Sequence, residues 1–273
     1  MRIGAQAPGA HSPPMPVVPR IHVDTALAEG LALPLPANAS RHVQVLRLQP
    51  GDSLVLFDGR GGEWCAEVLQ MGRREVTARV LTHQAIEREL GCAVTLALGM
   101  PANERMDTLV EKATELGAAA IQPLVCERSV LRVAGDRAER KASHWQAVAI
   151  AACEQSGRNR VPVIAAPMPL RDWLDLAASS ARDERLMLSL EAAAQPLMRQ
   201  LAAASTGQHA QGDTEAACRR ITVLSGPEGG LSPAEQQLAL QHRFIPVSLG
   251  PRVLRADTAP LAALALLADL QSR

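Results

Sequence analysis

Hydrophobic and polar positions change their rhythm once along this chain, near residue 88, and the change divides it. From residue 21 to about 82 the apolar positions come in short runs, over 53–57, 64–70 and 75–81, broken by turn residues such as Asp58-Gly59-Arg60-Gly61-Gly62. Such runs predict β-strands, and several in succession predict a small barrel. Residues 84–91 are polar and charged, and an apolar strand over 93–98 opens a different pattern. Helical spacing over 105–116, 143–155, 170–178, 195–203 and 233–241 alternates with apolar runs over 120–125, 162–165, 185–190, 220–224 and 244–248, before a closing helix from about 260. That alternation predicts an α/β domain, a parallel sheet with helices on both faces. The expected organisation is a disordered tail over 1–19, a barrel over 20–88 and the α/β domain over 89–273, with a polar surface loop over 206–217.

One junction carries chemistry. The strand over 221–224 runs into Ser225-Gly226-Pro227-Glu228-Gly229-Gly230-Leu231 and then a strongly signalled helix start. Ser232 can cap the first turn, Pro233 supplies a preset φ just inside it, and Glu235 sits three residues after the cap. The loop is anchored at both ends, and its glycines leave backbone amides uncovered. A phosphate cradle is the usual reading of such a loop. Glu228 argues against it, because a carboxylate in the loop and no lysine behind it suit an anion poorly; neither the Walker A nor the GxGxxG spacing is present. A ligand that is neutral or cationic near the loop, with edges for amides, fits better. S-adenosylmethionine, a sulfonium carrying an adenine, meets that description.

The segment Gly226-Pro227-Glu228-Gly229-Gly230 together with Leu249-Gly250-Pro251-Arg252-Val253-Leu254-Arg255 resembles the paired cofactor signature of the SPOUT methyltransferases, in particular the family that methylates N3 of a uridine in 16S ribosomal RNA. Upstream segments strengthen the likeness: Arg47 to Asp52, Glu104 to Asp107 leading into Glu111 to Gly117, Glu127-Arg128-Ser129, and Trp145 through Glu154-Gln155-Ser156-Gly157-Arg158-Asn159-Arg160 to Pro162. The resemblance implies a carboxy-terminal α/β domain tied in a trefoil knot, an amino-terminal PUA- or OB-like barrel that positions RNA, and a homodimer packed through the knotted domain. It further implies that S-adenosylmethionine is held by Leu224, Ser225, Gly226, Pro227, Glu228, Gly229 and Gly230 from one loop and by Leu249, Gly250, Val253 and Leu254 from the other. The family's Arg-Thr-Glu-Thr-Ala-Ala is here Arg255-Ala256-Asp257-Thr258-Ala259-Pro260, so a hydroxyl is lost, a carboxylate is shortened and a proline enters. That proline is tolerable in a helix's first turn.

Composition narrows the partners. The formal net charge is zero, so contact with RNA must come from local basic patches. Of 28 basic residues only Lys112 and Lys141 are lysines. Arginine's planar fork suits phosphates and base edges, although a GC-rich genome gives the same skew. With no tyrosine, two phenylalanines and three tryptophans, base stacking cannot be spread over an aromatic platform. Five scattered cysteines without a CxxC pair argue against zinc and for reduced thiols in the cytoplasm. No apolar run reaches the ~20 residues that cross a bilayer. The first residues, rich in Pro, Ala and Gly, lack the apolar core of a secretory signal, and Met15 is an alternative start.

Methylating uracil at N3 requires removing a proton from an imide and stabilising the negative charge that results. Arg255, directly after the second loop, is the first candidate to face a uracil carbonyl; capping a helix or pairing with Glu228 is the plain alternative. Glu154 could serve as base if burial raised its pKa. The donor-dense segment Gln155, Arg158, Asn159 and Arg160 could grip RNA, as could Arg105, Arg128 and, on the barrel, Arg20 and Arg47 with Arg41, Arg73 and Arg74. For Lys112 a solvated salt bridge is the simpler account. Two other readings stay open: a non-catalytic RNA-binding assembly factor, and a sister enzyme that methylates ribose 2′-hydroxyls.

Overall fold

The computed structural model describes residues 18–176, 183–207 and 219–271. Its amino-terminal part is a five-stranded sheet, ordered β1 (Arg20–His22), β3 (Ser53–Phe57), β4 (Glu63–Met71), β5 (Val76–Gln84), β2 (Ala32–Pro34). β1 runs parallel to β3 and the remaining pairs are antiparallel. The β4–β5 register slips at Trp64/Ala66 and again at Val68/Gln70; bulges of this kind bend a ribbon around its core. Alternate strand residues such as Leu54, Leu56, Ala66, Val68, Ala78 and Val80 fill that core.

Helix α1 (Ala37–Val45) was not legible. The sequence reading placed no element there, and only Ala39, Ser40 and Val43 are buried. Ser40 holds it in place instead, its Oγ donating to Leu35 O and accepting from the Val76 amide, both at 3.1 Å.

The remainder is an all-parallel sheet ordered β11 (Gln195–Pro196), β13 (Ile245–Ser248), β10 (Asp183–Leu188), β12 (Arg219–Ser225), β6 (Cys92–Gly99), β7 (Ala120–Val125), β8 (Val163–Ile164), with β9 (Met168–Pro169) also on β7. The helices are α2 (Asn103–Glu115), α3 (Asp136–Ser156), α4 (Leu170–Leu176), α5 (Leu197–Gly207), α6 (Pro233–Gln241) and α7 (Thr258–Gln271). One apolar cluster joins Val94, Leu96, Ile221 and Val223 to α2, α3, α5 and α7. The other joins Ala97, Leu124, Met187 and Leu224 to α4 and α6. Both faces are thus covered, which is why these strands read as apolar runs and not as alternations.

Most expected elements are present within a residue or two. α3 begins at Asp136, seven residues before the expected 143, because its first turns are charged and exposed. The expected helix over 195–203 begins as a short edge strand, β11, before α5. The tail apart from Val18 and Pro19, Ala177 and Ala178 of the expected helix over 170–178, and most of the polar loop over 206–217 lie outside the described residues.

Candidate active site

The carboxyl ends of β10, β12 and β13 and the turns that leave them enclose a cleft of about 700 Å3. Three segments form it: Met187 to Glu191, Ser225 to Leu231, and Leu249 to Ala256 without Pro251. The crevice beyond the strand ends is where open parallel sheets place ligands.

Close backbone contact shapes the first loop. A Cβ added to Gly226 would stand 2.7 Å from Leu231 N and 2.9 Å from Gly230 C, so no side chain fits there. At the end of β6 a Cβ on Gly99 would meet Pro227 N at 2.4 Å. Gly230 and Gly250 have φ of +68° and +106°, the left-handed region that disfavours a Cβ.

The helix that follows is capped as the residues predict. Ser232 Oγ accepts from the Glu235 amide, and Glu235 Oε2 accepts from the Ser232 amide at 2.8 Å. Glu235 Oε1 also accepts from the Glu127 amide at 2.8 Å, tying the turn after β7 to the turn after β12. Two further contacts extend the tie. Arg128 Nη1 donates to Gly229 O at 2.9 Å, and Glu228 Oε1 accepts from the Ala102 amide at 3.1 Å with Arg105 Nη1 3.7 Å away.

The second loop ends on α7. Arg255 O accepts from the amides of Thr258 and Ala259, both at 3.0 Å, so its backbone caps the helix. Its side chain is exposed along the cleft, and Arg105, not Arg255, pairs with Glu228. Pro260 falls in the first turn of α7, where no intrahelical bond is lost. The floor is apolar, with Met187, Leu188, Val247, Leu249 and Leu254; Glu191 and Glu228 supply carboxylates, and Arg105, Arg128, Arg252 and Arg255 supply cations. Such a cleft suits a ligand with a flat apolar part, hydrogen-bonding edges and a positive centre. Among the described residues no cluster of His, Cys, Asp and Glu could hold a metal ion.

The sequence missed the wall from Met187 to Glu191. The available signal was positional: this segment ends a parallel strand beside β12. Leu224 corrects the expectation in the other direction. It is fully buried against Ala97 and Leu124 and does not line the cleft.

A second group of expected site residues lies elsewhere, at the joint between the barrel and the α/β domain. Glu63 is its centre. The carboxylate accepts from Arg20 Nη1 at 2.6 Å, from Arg88 Nη1 at 2.9 Å and from Asn159 Nδ2 at 3.0 Å. Burial pushes this carboxyl up, but the hydrogen bonds from Arg88, Arg20 and Asn159 outweigh it and hold the pKa down at about 2. Asn159 is fully buried and also donates to Ile86 O at 2.7 Å. Arg158, 3% exposed, donates to Thr114 O at 2.8 Å and Ala118 O at 3.0 Å and forms a bidentate pair with Glu89. The backbone stitches the same seam through Gly61 N to Asn159 O at 3.1 Å and Val161 N to Gly59 O at 3.2 Å.

Four expectations are corrected by this joint. Arg20 gives both of its Nη atoms, and Arg158 and Asn159 give their side-chain donors, to partners inside the protein. Glu154 takes the His22 amide on its Oε1 at 2.9 Å and borders a separate cavity between barrel and α3, away from the cleft of its own chain. Gln155 is exposed beside the joint, and Arg160, exposed too, pairs with Glu87 at 3.2 Å. Arg105 and Arg128 are at the cleft, and Arg47 is exposed on the barrel. Lys112 does form the plain salt bridge, at 2.8 Å to Glu111 and 2.7 Å to Glu115.

Fold and site together define a two-domain α/β protein with a small-molecule cleft at the carboxyl edge of a parallel sheet. The chain matches the RNA methyltransferase domain family over residues 88–268 and the RNA methyltransferase PUA domain family over residues 35–81. It belongs to the RNA methyltransferase family, as the ordered motifs implied. Ribosomal RNA small subunit methyltransferase E of Synechocystis sp. is 36% identical over 222 residues, 81% of this chain and 67% of that protein. The protein of that name from Mycobacterium bovis is 32% identical over 257 residues, 92% of each. Among solved structures, Ribosomal RNA small subunit methyltransferase E from Neisseria gonorrhoeae bound to S-adenosyl methionine superposes with TM-score 0.78 at 33% identity, covering 93% of this chain and 98% of that one. A putative methyltransferase from Legionella pneumophila in complex with the same cofactor gives TM-score 0.79 at 31% identity over the same shares.

Proposed function

We propose that this protein transfers a methyl group from S-adenosylmethionine to N3 of a uridine in 16S ribosomal RNA, as a cytoplasmic homodimer whose cofactor domain is knotted. The observation that carries the reading is the convergence of Gly226 to Gly230 and Leu249 to Arg255 on one cleft. The residues present fit that cofactor: backbone where an adenine edge needs partners, an apolar floor, and the carboxylates Glu191 and Glu228 beside a cationic centre. Relatives with the same fold, bound to S-adenosyl methionine, support the assignment.

When bound, the cofactor supplies a methyl group on a positively charged sulfur. The chain must hold the uracil edge against that methyl and favour the anion left when N3 loses its proton. Arg255 is the residue assigned to the uracil carbonyl oxygens, because its guanidinium is exposed on the cleft and has no ion-pair partner among the described residues. Removing one preorganised donor of this type costs ~10²–10³ in turnover in comparable sites. A homodimer is supported by α7, whose sequence Leu261-Ala-Ala-Leu-Ala-Leu-Leu is apolar around its whole circumference and leaves Leu266 36% exposed; a helix apolar all round is a buried helix.

The test is direct. Purified protein is titrated calorimetrically with S-adenosylmethionine and then given labelled cofactor with unmodified small ribosomal subunits, and the digested RNA is analysed by mass spectrometry. A single N3-methyluridine is expected. Ribose methylation, or RNA binding without transfer, would replace this reading with one of its rivals.

A further inference from the structure

Residues 85–91 join the barrel to the α/β domain without helix or strand, and a segment of that kind is where two domains ordinarily hinge. Here four consecutive linker residues are held. Ile86 O accepts from Asn159 Nδ2 at 2.7 Å, and Arg88 Nη1 donates to Gly157 O at 2.8 Å. Glu87 pairs with Arg160 at 3.2 Å and also accepts from the Gly62 amide at 2.9 Å, while Glu89 pairs with Arg158. The residues after α3, Gly157 to Arg160, thus take hold of the linker one by one.

The seam beside the linker is closed in the same manner. Arg60, in the β3–β4 turn, lies opposite Arg160 as an antiparallel bridge, flanked by the backbone bonds of the Gly61 and Val161 amides. The His22 amide ties β1 to Glu154 of α3. Glu63 then draws one donor from each party: Arg20 from β1, Arg88 from the linker and Asn159 from the α/β domain. Arg20 continues across the seam, donating to Arg158 O at 3.2 Å and to Asn159 Oδ1 at 2.6 Å.

The polarity of this seam decides what it can do. Apolar burial is non-directional and holds two bodies together at any of several angles. Hydrogen bonds and bidentate ion pairs weaken steeply away from their geometry, so a closed set of them admits one arrangement. Apolar residues of similar volume would stabilise the contact as well or better, because desolvation offsets the attraction between buried charges.

We infer that Glu63 and Asn159 are positioning residues for methyl transfer: they lock the barrel at one angle to the cleft, so that RNA lying on the barrel meets the methyl donor at one nucleotide. Neither side chain lines the cleft, and their action runs through the orientation of the barrel. Misplacing reacting atoms by ~1 Å can lower a rate by about 100-fold, so a small freedom at the joint is enough to be read in turnover. The inference rests on the methyltransferase reading for that readout, while the lock itself is measurable without it.

The experiment uses the full chain as wild type, Glu63→Ala, Arg88→Gln, and Glu63→Ala carrying Arg60→Cys and Arg160→Cys. Arg60 and Arg160 form a bridge with no hydrogen bonds of its own, whose Cα atoms stand about 4.5 Å apart, within the span of a disulfide. Oxidised, that pair staples the seam that Glu63 no longer holds; reduced, the same chain lacks the staple. Hydrogen exchange of the Gly61 and Val161 amides reports the seam, and exchange within β3 to β5 reports the barrel's own fold. Turnover on small ribosomal subunits, S-adenosylmethionine affinity and the map of methylated nucleotides are measured in parallel.

Glu63→Ala is expected to speed exchange at the seam, leave β3 to β5 protected and spread methyl groups to neighbouring uridines. Its kcat should fall roughly tenfold or more with KM and cofactor affinity held within about twofold. Oxidising the staple should return kcat to the wild-type value, and reducing it should remove the gain. Arg88, 42% exposed along its side chain, is the safer position; Arg88→Gln should show the same changes to a smaller degree, and with the staple built on it decides the matter if Glu63→Ala does not fold. For residues that only stabilise the chain, the staple would restore the melting temperature and not kcat. That result, or unchanged seam exchange in both variants, overturns the inference. A wild type that transfers no methyl group sinks the enzymatic reading, whereas seam exchange that rises in the variants and falls on oxidation still supports the lock.

Discussion

Two donor-dense, glycine-bearing segments look alike along this chain and end in opposite situations. The loop Gly226 to Gly230 follows a strand, and Gly157 to Arg160 follows a helix; each has a glycine, polar neighbours and an arginine nearby. The first stays open, its backbone held apart by Glu235, Arg128 and Arg105 so that a cleft remains. The second is filled, with Arg158 and Asn159 buried and bonded to Glu89, Glu63 and main-chain carbonyls. What differs is the supply of partners. The barrel brings Glu63, and the segment that follows it Glu87 and Glu89, to the helix end, where they pair with Arg20, Arg160 and Arg158. Density of donors marks a place where something is bound, but whether the ligand is foreign or the protein itself depends on acids far away in sequence.

The comparison breaks hardest at Gly226. A side chain there must displace the backbone of Gly230 and Leu231. For Gly226→Val we expect loss of S-adenosylmethionine binding by at least 100-fold in calorimetry, and a folded variant that binds normally would place the cofactor outside the cleft. Arg255→Ala is the companion. Its side chain is exposed, so unfolding free energy should change by no more than about 0.5 kcal/mol while turnover falls steeply.

The joint should respond in the reverse way. Glu63→Ala leaves Arg20 and Arg88 facing each other without an anion, and breaking a buried pair from one side costs about 3–5 kcal/mol. Because Arg88 is 42% exposed along its side chain, the lower end is expected. Urea denaturation checks it; a loss under 1 kcal/mol would mean that the joint is ornamental to the fold. Arg158→Ala strands Glu89 and two carbonyls and belongs to the same class. Neither change should alter cofactor affinity, since neither side chain lines the cleft.

Glu63 also makes the joint sensitive to acid. Its pKa is lowered in the folded chain from 4.5 to about 2, so the folded state binds the proton less readily than the unfolded state. The stabilisation is complete above about pH 4.5 and is lost as pH falls towards 2, roughly 3 kcal/mol in all. Over that window wild type should lose stability faster than Glu63→Gln, and parallel curves would assign the acid sensitivity to other carboxylates.

How much of this could be read from residue order follows the same division. Elements that depend on local pattern were legible: the strands of the α/β sheet, the cap at Ser232 and Glu235, the proline in the first turn of α7. The two loops of the cleft were legible because their glycines answer local needs, Gly226 a close backbone approach and Gly230 and Gly250 a positive φ. Three things were not. Helix α1 has no side-chain cap and no acidic residue in its first turn to announce it, and is fixed by Ser40 and Gln44 bonding to β5 and its turn. The wall from Met187 to Glu191 has no residue signature, only a position at a strand's end. The fate of Arg20, Arg158 and Asn159 was decided by Glu63, Glu89 and Ile86, at sequence separations of 43 to 96 residues.

The smallest expected effect sharpens the comparison at the open loop. Ser232→Ala removes the hydroxyl that accepts from the Glu235 amide, while Glu235 keeps its bonds to the amides of Ser232 and Glu127. Loss of such a cap costs about 1 kcal/mol. Because Glu235 ties the turn after β7 to the loop, that small loss of stability should come with a measurably weaker grip on S-adenosylmethionine, a few-fold in calorimetry, while joint variants of far larger cost leave that affinity untouched. If Ser232→Ala weakened the fold alone, the cap would be holding α6 and not the cleft, and the open geometry of the loop would have to come from Arg128 and Glu228.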